Sequence, residues 1–291
     1  MIMTELIRWD EKNGCEIPFD VPTHVERYTK KELIARLQEI AEYGWIKGTR
    51  KGNCGSAGNT LEDLLGIVEN NLPIPNAAEW ELKTHQKNSS SLLTLLHSEP
   101  SALACKHVPK ILLPKYGWKH KDAGVKHPAD EMSFRQTISG LNYSDRGFKV
   151  IVNREEKKIE ISFNADAIDE SKHGDWKQSV KDRVGLENLI DKPYWGFDDL
   201  KSNMRVKLRN CFYVEADSKK INGELYFKFD RALMLKDFDF NKFLDAIESG
   251  RAYVDFDART GHNHGTKFRI QQNLVPELYA EVKVVVGEKT A

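Results

Sequence analysis

Apolar residues recur at helical spacing in two early segments. Leu33, Leu37, Ile40 and Ala41 form one stripe. Thr29 can cap it, Glu32 sits three residues on as the capping-box partner, and Gly44 stops it. Leu61, Leu64, Leu65 and Val68 form a second stripe, which predicts a helix beginning near Asn59 or Thr60 after a Gly-rich stretch at 48–58. A loop rich in Asn and Pro follows at 70–75, and then the period changes to two, predicting strands at 80–86 and 92–97. Residues 147–164 read as a β-hairpin, Phe148 to Val152 pairing with Ile159 to Phe163 around a polar turn at Glu155 to Lys158. A second hairpin, 211–216 with 224–229, closes at Asn222-Gly223, a type I′ turn signal. Phe240, Phe243, Leu244 and Ile247 give an amphipathic helix over 239–249 with Gly250 as its stop, and strands follow at 252–257, 267–271 and 279–286.

No period repeats, and helices alternate with mostly non-parallel strands, so the fold class is mixed α+β within the α/β range. Residues 165–200 are more acidic and less regular, with Pro193 and Gly196 as breakers. A boundary there predicts lobes at 1–165 and 166–291, with the last strand free to return to the first lobe.

Composition narrows the class. Of 291 residues, 40% are hydrophobic and 30% charged, as in a globular chain large enough for proper cores. Lys plus Arg number 44 and Asp plus Glu 44, so a polybasic carrier is excluded, although a basic face can be balanced by an acidic one elsewhere. No run approaches the roughly 18 apolar residues of a membrane helix, and the N-terminus has no apolar signal region, so a membrane partner is not expected. Cys15, Cys54, Cys105 and Cys211 lack the spacing of a zinc ribbon or a disulfide framework. They read as reduced thiols in a cytoplasmic protein.

The densest chemistry lies in Pro75-Asn76-Ala77-Ala78-Glu79-Trp80-Glu81-Leu82-Lys83-Thr84. Strand alternation puts Glu81 and Lys83 on one face and Trp80 and Leu82 on the other. Such a pair suits phosphodiester hydrolysis: the carboxylate holds a divalent metal against the phosphate, and the lysine orients the attacking water and neutralises developing charge. Glu-x-Lys is also a common surface pair on an amphipathic strand. Glu62, in the preceding helix, can extend a carboxylate to the same metal, or simply favour the helix's first turn. The Gly-rich stretch, with Arg50 and Lys51, can offer backbone N–H groups to a phosphate, although it lacks the Gly-Lys-Ser/Thr ending of a P-loop.

A third block runs Tyr253-Val254-Asp255-Phe256-Asp257-Ala258-Arg259 and continues through His262, His264, Lys267 and Arg269. Alternation sets Asp255, Asp257 and Arg259 on one face. Arg can bridge guanine O6 and N7 and Asp can accept from cytosine N4, so this face can read G·C pairs. A metal held by His262, His264, Asp255 and Asp257, or a locally salt-bridged hairpin, fits the same spacing. Residues 106–127 hold six Lys, three His and one Asp, and either contact a phosphate backbone or form a solvated loop.

Two blocks carry a family resemblance. Gly58-Asn59-Thr60-Leu61-Glu62-Asp63-Leu64-Leu65-Gly66-Ile67 followed by Trp80-Glu81-Leu82-Lys83-Thr84 resembles the start of MutH-related nucleases. Asp255-Phe256-Asp257-Ala258-Arg259 with His264-Gly265-Thr266-Lys267-Phe268-Arg269 resembles the MvaI/BcnI restriction endonucleases of that group. The resemblance implies a PD-(D/E)xK nuclease core with a second DNA-recognition lobe, the two gripping double-stranded DNA, and Mg²⁺ as cofactor. It implies a type II restriction enzyme acting as a monomer, nicking one strand at a time within short CC-N-GG-like sites. Residue by residue, Glu81 and Lys83 match the second carboxylate and the lysine of the motif, and Glu62 matches the helix glutamate. Arg50, Lys51, His85, Lys119, Asp255, Asp257, Arg259, His262, His264, Lys267 and Arg269 become candidates for DNA contact. One position departs from the pattern: the first carboxylate, five residues before Glu81, should be Asp and is Asn76. Asn76 would keep the shape of a metal ligand while removing its charge, and is read as an inactivating exchange. The alternatives are a MutH-like strand-nicking repair enzyme and a catalytically inactive sequence-specific DNA-binding protein.

Overall fold

A computed structural model describes residues 3–23, 25, 28–50, 56–67, 80–87, 89–189 and 191–287. The expectations for Lys51, Val68, the 70–75 loop and Asn76 fall outside them. In chain order the strands are β1 (Met3–Asp10), β2 (Cys15–Pro22), β3 (Trp45–Lys47), β4 (Glu81–Gln86), β5 (Leu92–His97), β6 (Trp118–Lys119), β7 (Met132–Ser139) and β8 (Arg146–Asn153). They continue with β9 (Lys158–Ile168), β10 (Tyr194–Gly196), β11 (Asn210–Ile221), β12 (Glu224–Phe238), β13 (Ala252–Arg259), β14 (His262–Asn263), β15 (Lys267–Gln271) and β16 (Tyr279–Val286). The α-helices are α1 (Lys30–Glu42), α2 (Ser56–Leu65), α3 (Leu113–Tyr116), α4 (Glu170–Val184), α5 (Phe197–Lys207) and α6 (Phe240–Glu248). None of the described helices is long and apolar enough to cross a membrane.

The chain forms two compact units, each built from separate stretches. One comprises residues 1–91, 203–239 and 275–291, and the other 92–202 and 240–274. These units do not divide at 165, which lies inside β9, where Ile161 and Phe163 are buried and paired with β8. The 165–200 stretch is also more regular than its composition suggests. Its helix α4 is polar overall and buries only Trp176 and Val180, so periodicity barely marks it. Tertiary hydrogen bonds anchor it: Trp176 Nε1 donates to the Tyr116 carbonyl at 3.0 Å, and Arg183 donates to the carbonyls of Pro114 and Gly117.

The first unit is a seven-stranded sheet in the order β2-β1-β3-β12-β11-β4, with β16 also pairing with β12. Its pairs are antiparallel except β4 with β11, which is parallel. The capping box at Thr29 and Glu32 forms as expected, with the Thr29 backbone N–H donating to Glu32 at 2.8 Å and the Glu32 N–H to Thr29 Oγ1 at 3.3 Å. Helix α2 starts at Ser56, earlier than the apolar stripe suggests. Burial of Ser56, Ala57 and Thr60 outweighs the helix penalty of Gly58. Leu33, Leu37 and Ile40 of α1 and Leu61, Leu64 and Leu65 of α2 share one core with Leu82, Phe212, Val214, Phe227, Phe229, Ala232 and Met234. The core-facing positions of β12 change from odd to even between Phe229 and Ala232. The register with β11 slips there, two residues of β11 spanning three of β12, and this bulge turns the rest of the strand over. Asn222 and Gly223 have φ of 51° and 82°, as the type I′ turn requires.

The second unit holds a six-stranded sheet, β5-β15-β13-β7-β6 with β14 on β13, and a three-stranded sheet, β10-β9-β8. Phe134, Phe148, Phe163, Trp195, Phe243, Phe256 and Phe268 are fully buried in it, and Phe134 packs edge-on against both Phe148 and Phe256.

Gly66 ends α2 at φ +66°, and a Cβ there would stand 2.2 Å from the Pro22 carbonyl oxygen. Gly66→Ala is expected to cost roughly 2–4 kcal/mol through backbone strain and collision. Thr29→Ala, which loses only a cap, should cost about 1 kcal/mol. Urea unfolding of both variants checks this ordering.

Candidate active site

The parallel pairing of β4 with β11 sets Cys211 opposite Glu81, Tyr213 opposite Lys83 and Glu215 opposite His85. These residues share one face of the sheet, while Leu82, Phe212 and Val214 point into the helix-covered core on the other. The alternation read from the sequence therefore holds. Glu81 is 3% exposed, and its Oε1 accepts from Lys83 Nζ at 2.8 Å. Lys207, the last residue of α5, brings a second ammonium to 3.9 Å from the same oxygen. The other oxygen, Oε2, is buried and has no hydrogen-bond partner among the described residues.

That asymmetry is energetically informative. A buried acceptor left unpaired costs roughly 1–3 kcal/mol, and more when charged. Glu81 is thus a carboxylate neutralised on one side and open on the other, which is the donor chemistry a hard divalent cation takes. The residues fit such an ion. The walls are apolar and weakly acidic: burial pushes the Cys211 thiol and the Tyr279 phenol well above their ordinary values. Lys207 was not legible in the sequence, because only the crossover that lays β11 beside β4 brings it near Glu81.

The remaining candidates divide by unit. In the first, Glu62 lies half-buried on α2 and Arg50 pairs with Asp63 at 3.8 Å. The ends of the Gly-rich stretch fold onto the start of that helix, with Ser56 Oγ donating to the Arg50 carbonyl at 3.0 Å and the Thr49 N–H to Thr60 Oγ1 at 3.3 Å. His85 stacks on Tyr213 with ring centroids 5.6 Å apart. In the second unit, Lys119, His262 and His264 are exposed, and the two His rings meet edge-on at 4.2 Å.

Asp255, Asp257 and Arg259 do share one face of β13, but each has a partner. Asp255 is buried, accepts from Thr137 Oγ1 at 2.7 Å and from Arg269 Nη1 at 3.4 Å. Asp257 lies between Arg135 at 3.4 Å and Lys267 at 3.6 Å. Arg259 donates to the buried carboxylate of Glu131 at 2.9 Å. The locally salt-bridged reading of this block is therefore realised, and Glu131 and Arg135 are partners that strand periodicity could not reveal. His262, His264, Asp255 and Asp257 do not gather as a metal-ligand group among the described residues.

The model of the MvaI/BcnI restriction endonuclease family matches residues 34–279. The chain is similar to a solved complex of the restriction endonuclease MvaI with its cognate DNA substrate, at 27% identity and a TM-score of 0.70, covering 89% of this chain and 100% of that one. It is also similar to MvaI solved without DNA, at 26% identity and a TM-score of 0.51, covering 90% and 100%. No curated protein matches it.

Burial is the largest influence on His85 and holds its imidazole below the ordinary value, against an upward pull from Glu215. The unfolded chain therefore takes up the proton more readily. The stability that neutral His85 contributes is complete above the ordinary value of about 6.5 and is lost as pH falls through the lower folded value. An NMR titration should put the His85 midpoint below about 6.5; a midpoint at or above that value would contradict the buried, stacked placement.

Proposed function

The chain belongs to the MvaI/BcnI restriction endonuclease family and is a type II restriction endonuclease, and we propose that it cleaves double-stranded DNA at a short G/C-rich site with Mg²⁺ as cofactor. The observation that carries the metal assignment is the unpartnered, buried Oε2 of Glu81. Glu81 would be the ligand, and Glu62 on α2, which matches the helix glutamate of the family motif, is the second carboxylate this reading assigns. When bound, such an ion would stabilise the negative charge carried by the phosphoryl and leaving oxygens in the transition state. Lys83, held by Glu81 Oε1, orients the attacking water and offsets negative charge as the water's proton leaves. Lys207 adds a second positive charge on the Oε1 side at 3.9 Å, so that Oε1 is held and Oε2 stays open to the ion.

MvaI has been solved as a complex with its cognate DNA substrate, which supports DNA as the partner here. On this reading Arg50, Lys51, Lys119, Lys267 and Arg269 meet phosphates or bases, and His262 and His264, exposed at the tip of the β13–β15 hairpin, reach base edges. His85, held neutral near pH 7, contributes as an N–H donor rather than as a cation. Asp255, Asp257 and Arg259 read G·C pairs by exchanging part of their present partners for bases. The enzyme acts as a monomer in the cytoplasm, where Cys15, Cys105 and Cys211 stay reduced.

Asn76 favours a second reading, a protein that binds its site and does not cut. Asn offers Mg²⁺ a neutral carbonyl oxygen in place of an anionic one, so metal occupancy and cleavage fall while the DNA surface is untouched. The test is supercoiled plasmid with Mg²⁺. The chain as it stands should bind with little cleavage, and Asn76→Asp should raise the cleavage rate by orders of magnitude, with Lys83→Ala in that background removing it again at near-constant DNA affinity. Open circles alone would indicate single-strand nicking. No cleavage from Asn76→Asp on any DNA that carries the bound site would leave the binding protein as the better reading.

Arg259→Ala should reduce discrimination between cognate and scrambled duplexes by roughly 1–3 kcal/mol at fixed salt. Glu131→Gln, which frees the guanidinium without removing it, should preserve that discrimination. Equal losses on both duplexes from Arg259→Ala would assign the residue to phosphate contact or to holding the hairpin.

A further inference from the structure

Among the described residues, one group brings three metal-ligating side chains together. Candidate donor atoms of His120, Asp122 and His127 all lie within 4.8 Å of one another. The two imidazoles meet edge to face with centroids 4.7 Å apart. None of the nuclease roles above uses these residues, and they sit in the second unit, whereas Glu81 and Lys83 belong to the first.

The backbone that carries them is closed on itself. His120 N–H donates to the Glu131 carbonyl at 2.8 Å, and Gly124 N–H donates to the His127 carbonyl at 2.8 Å. The N–H groups of Val125, Lys126 and His127 converge on the Asp122 carbonyl at 3.1, 3.0 and 3.2 Å. Gly124, at φ +79°, allows the reversal. The turn therefore holds the Asp122 side chain near both rings before any ion arrives. All three residues are only partly buried, so an ion can enter from water and keep water in its remaining positions.

Two imidazole nitrogens and one carboxylate oxygen suit zinc and its late first-row neighbours. Mg²⁺ and Ca²⁺ prefer all-oxygen surroundings. We propose that the 120–127 loop binds a divalent ion of the zinc class through His120, Asp122 and His127. His120 Nδ1 accepts the Asp122 backbone N–H at 3.1 Å, so the ion-free ring carries its proton on Nε2. Binding at either ring nitrogen ends that hydrogen bond, since an ion at Nδ1 takes its lone pair and an ion at Nε2 sends the ring proton to Nδ1. Three lysines at 119, 121 and 126 repel the incoming charge. Affinity is accordingly micromolar, far weaker than in closed structural zinc sites. The bound ion ties the two ends of the loop together and fixes the three lysines relative to one another.

The test is Zn²⁺ titration of tag-free full-length protein against a chromophoric zinc indicator, with His120→Gln and His127→Gln beside Glu81→Gln and His264→Gln. Wild type, Glu81→Gln and His264→Gln should each hold one equivalent at micromolar affinity in millimolar Mg²⁺. Each of the loop variants should bind at least about tenfold more weakly, as expected when one of three ligands is lost. Circular dichroism confirms that the variants are folded, and Zn²⁺ should slow hydrogen exchange in the 118–131 segment of wild type alone among wild type and the two loop variants. Unchanged affinity in both loop variants, or loss confined to Glu81→Gln or His264→Gln, would overturn the assignment. Failure here leaves the nuclease reading intact, since that reading is tested by cleavage at the Glu81 site.

Discussion

β4 and β11 run parallel, and a parallel pair cannot be joined by a tight turn. The chain must leave the end of β4, travel the length of a crossover and return in the same direction. Here the crossover is most of an entire folded unit, residues 92–202, and α5, which begins within that stretch at Phe197, runs on to Lys207 and delivers the chain to the start of β11. The rest of the chemistry depends on that pairing. It buries Glu81 opposite Cys211, places Tyr213 beside Lys83, and leaves Lys207 close to the carboxylate just before the strand begins. A carboxylate gripped on one oxygen and unpaired on the other is costly in a stable core.

Legibility followed the range of the interaction. The α1 cap, the Asn222-Gly223 turn and the β8–β9 hairpin are set by neighbours in the chain, and each lies where its local pattern puts it. The facing of Glu81 and Lys83 was legible for the same reason, being a property of one strand. What escaped depends on partners elsewhere. Helix α4 has too few buried residues to show a stripe, and it is held by backbone carbonyls from α3 and the residue after it. The boundary at 165 failed because a local dip in regularity does not reveal that compact units can be assembled from alternating stretches. Likewise, the charges of β13 looked available because Glu131, Arg135 and Thr137 come from outside that strand.

Those charges form a small lattice on one sheet face. Asp255, Asp257 and Arg259 are each held by a neighbour of opposite charge or by a hydroxyl, and only Asp255 and Glu131 are buried. Partly exposed pairs contribute little to stability, roughly 0–1 kcal/mol each. They do restrain long side chains on this face. The entropy of fixing those side chains is then spent in folding.

The crossover also dictates when the site can exist during synthesis. About 120 residues separate the end of β4 from the start of β11, and β16, whose Tyr279 stands beside Cys211, comes later still. At roughly 5–20 residues per second, a ribosome takes on the order of ten seconds to supply β11 after β4 has emerged. Through that interval Glu81 and Lys83 lie on a strand without its parallel partner. The nascent chain therefore carries the Glu81 and Lys83 sequence early and completes the pairing around it last.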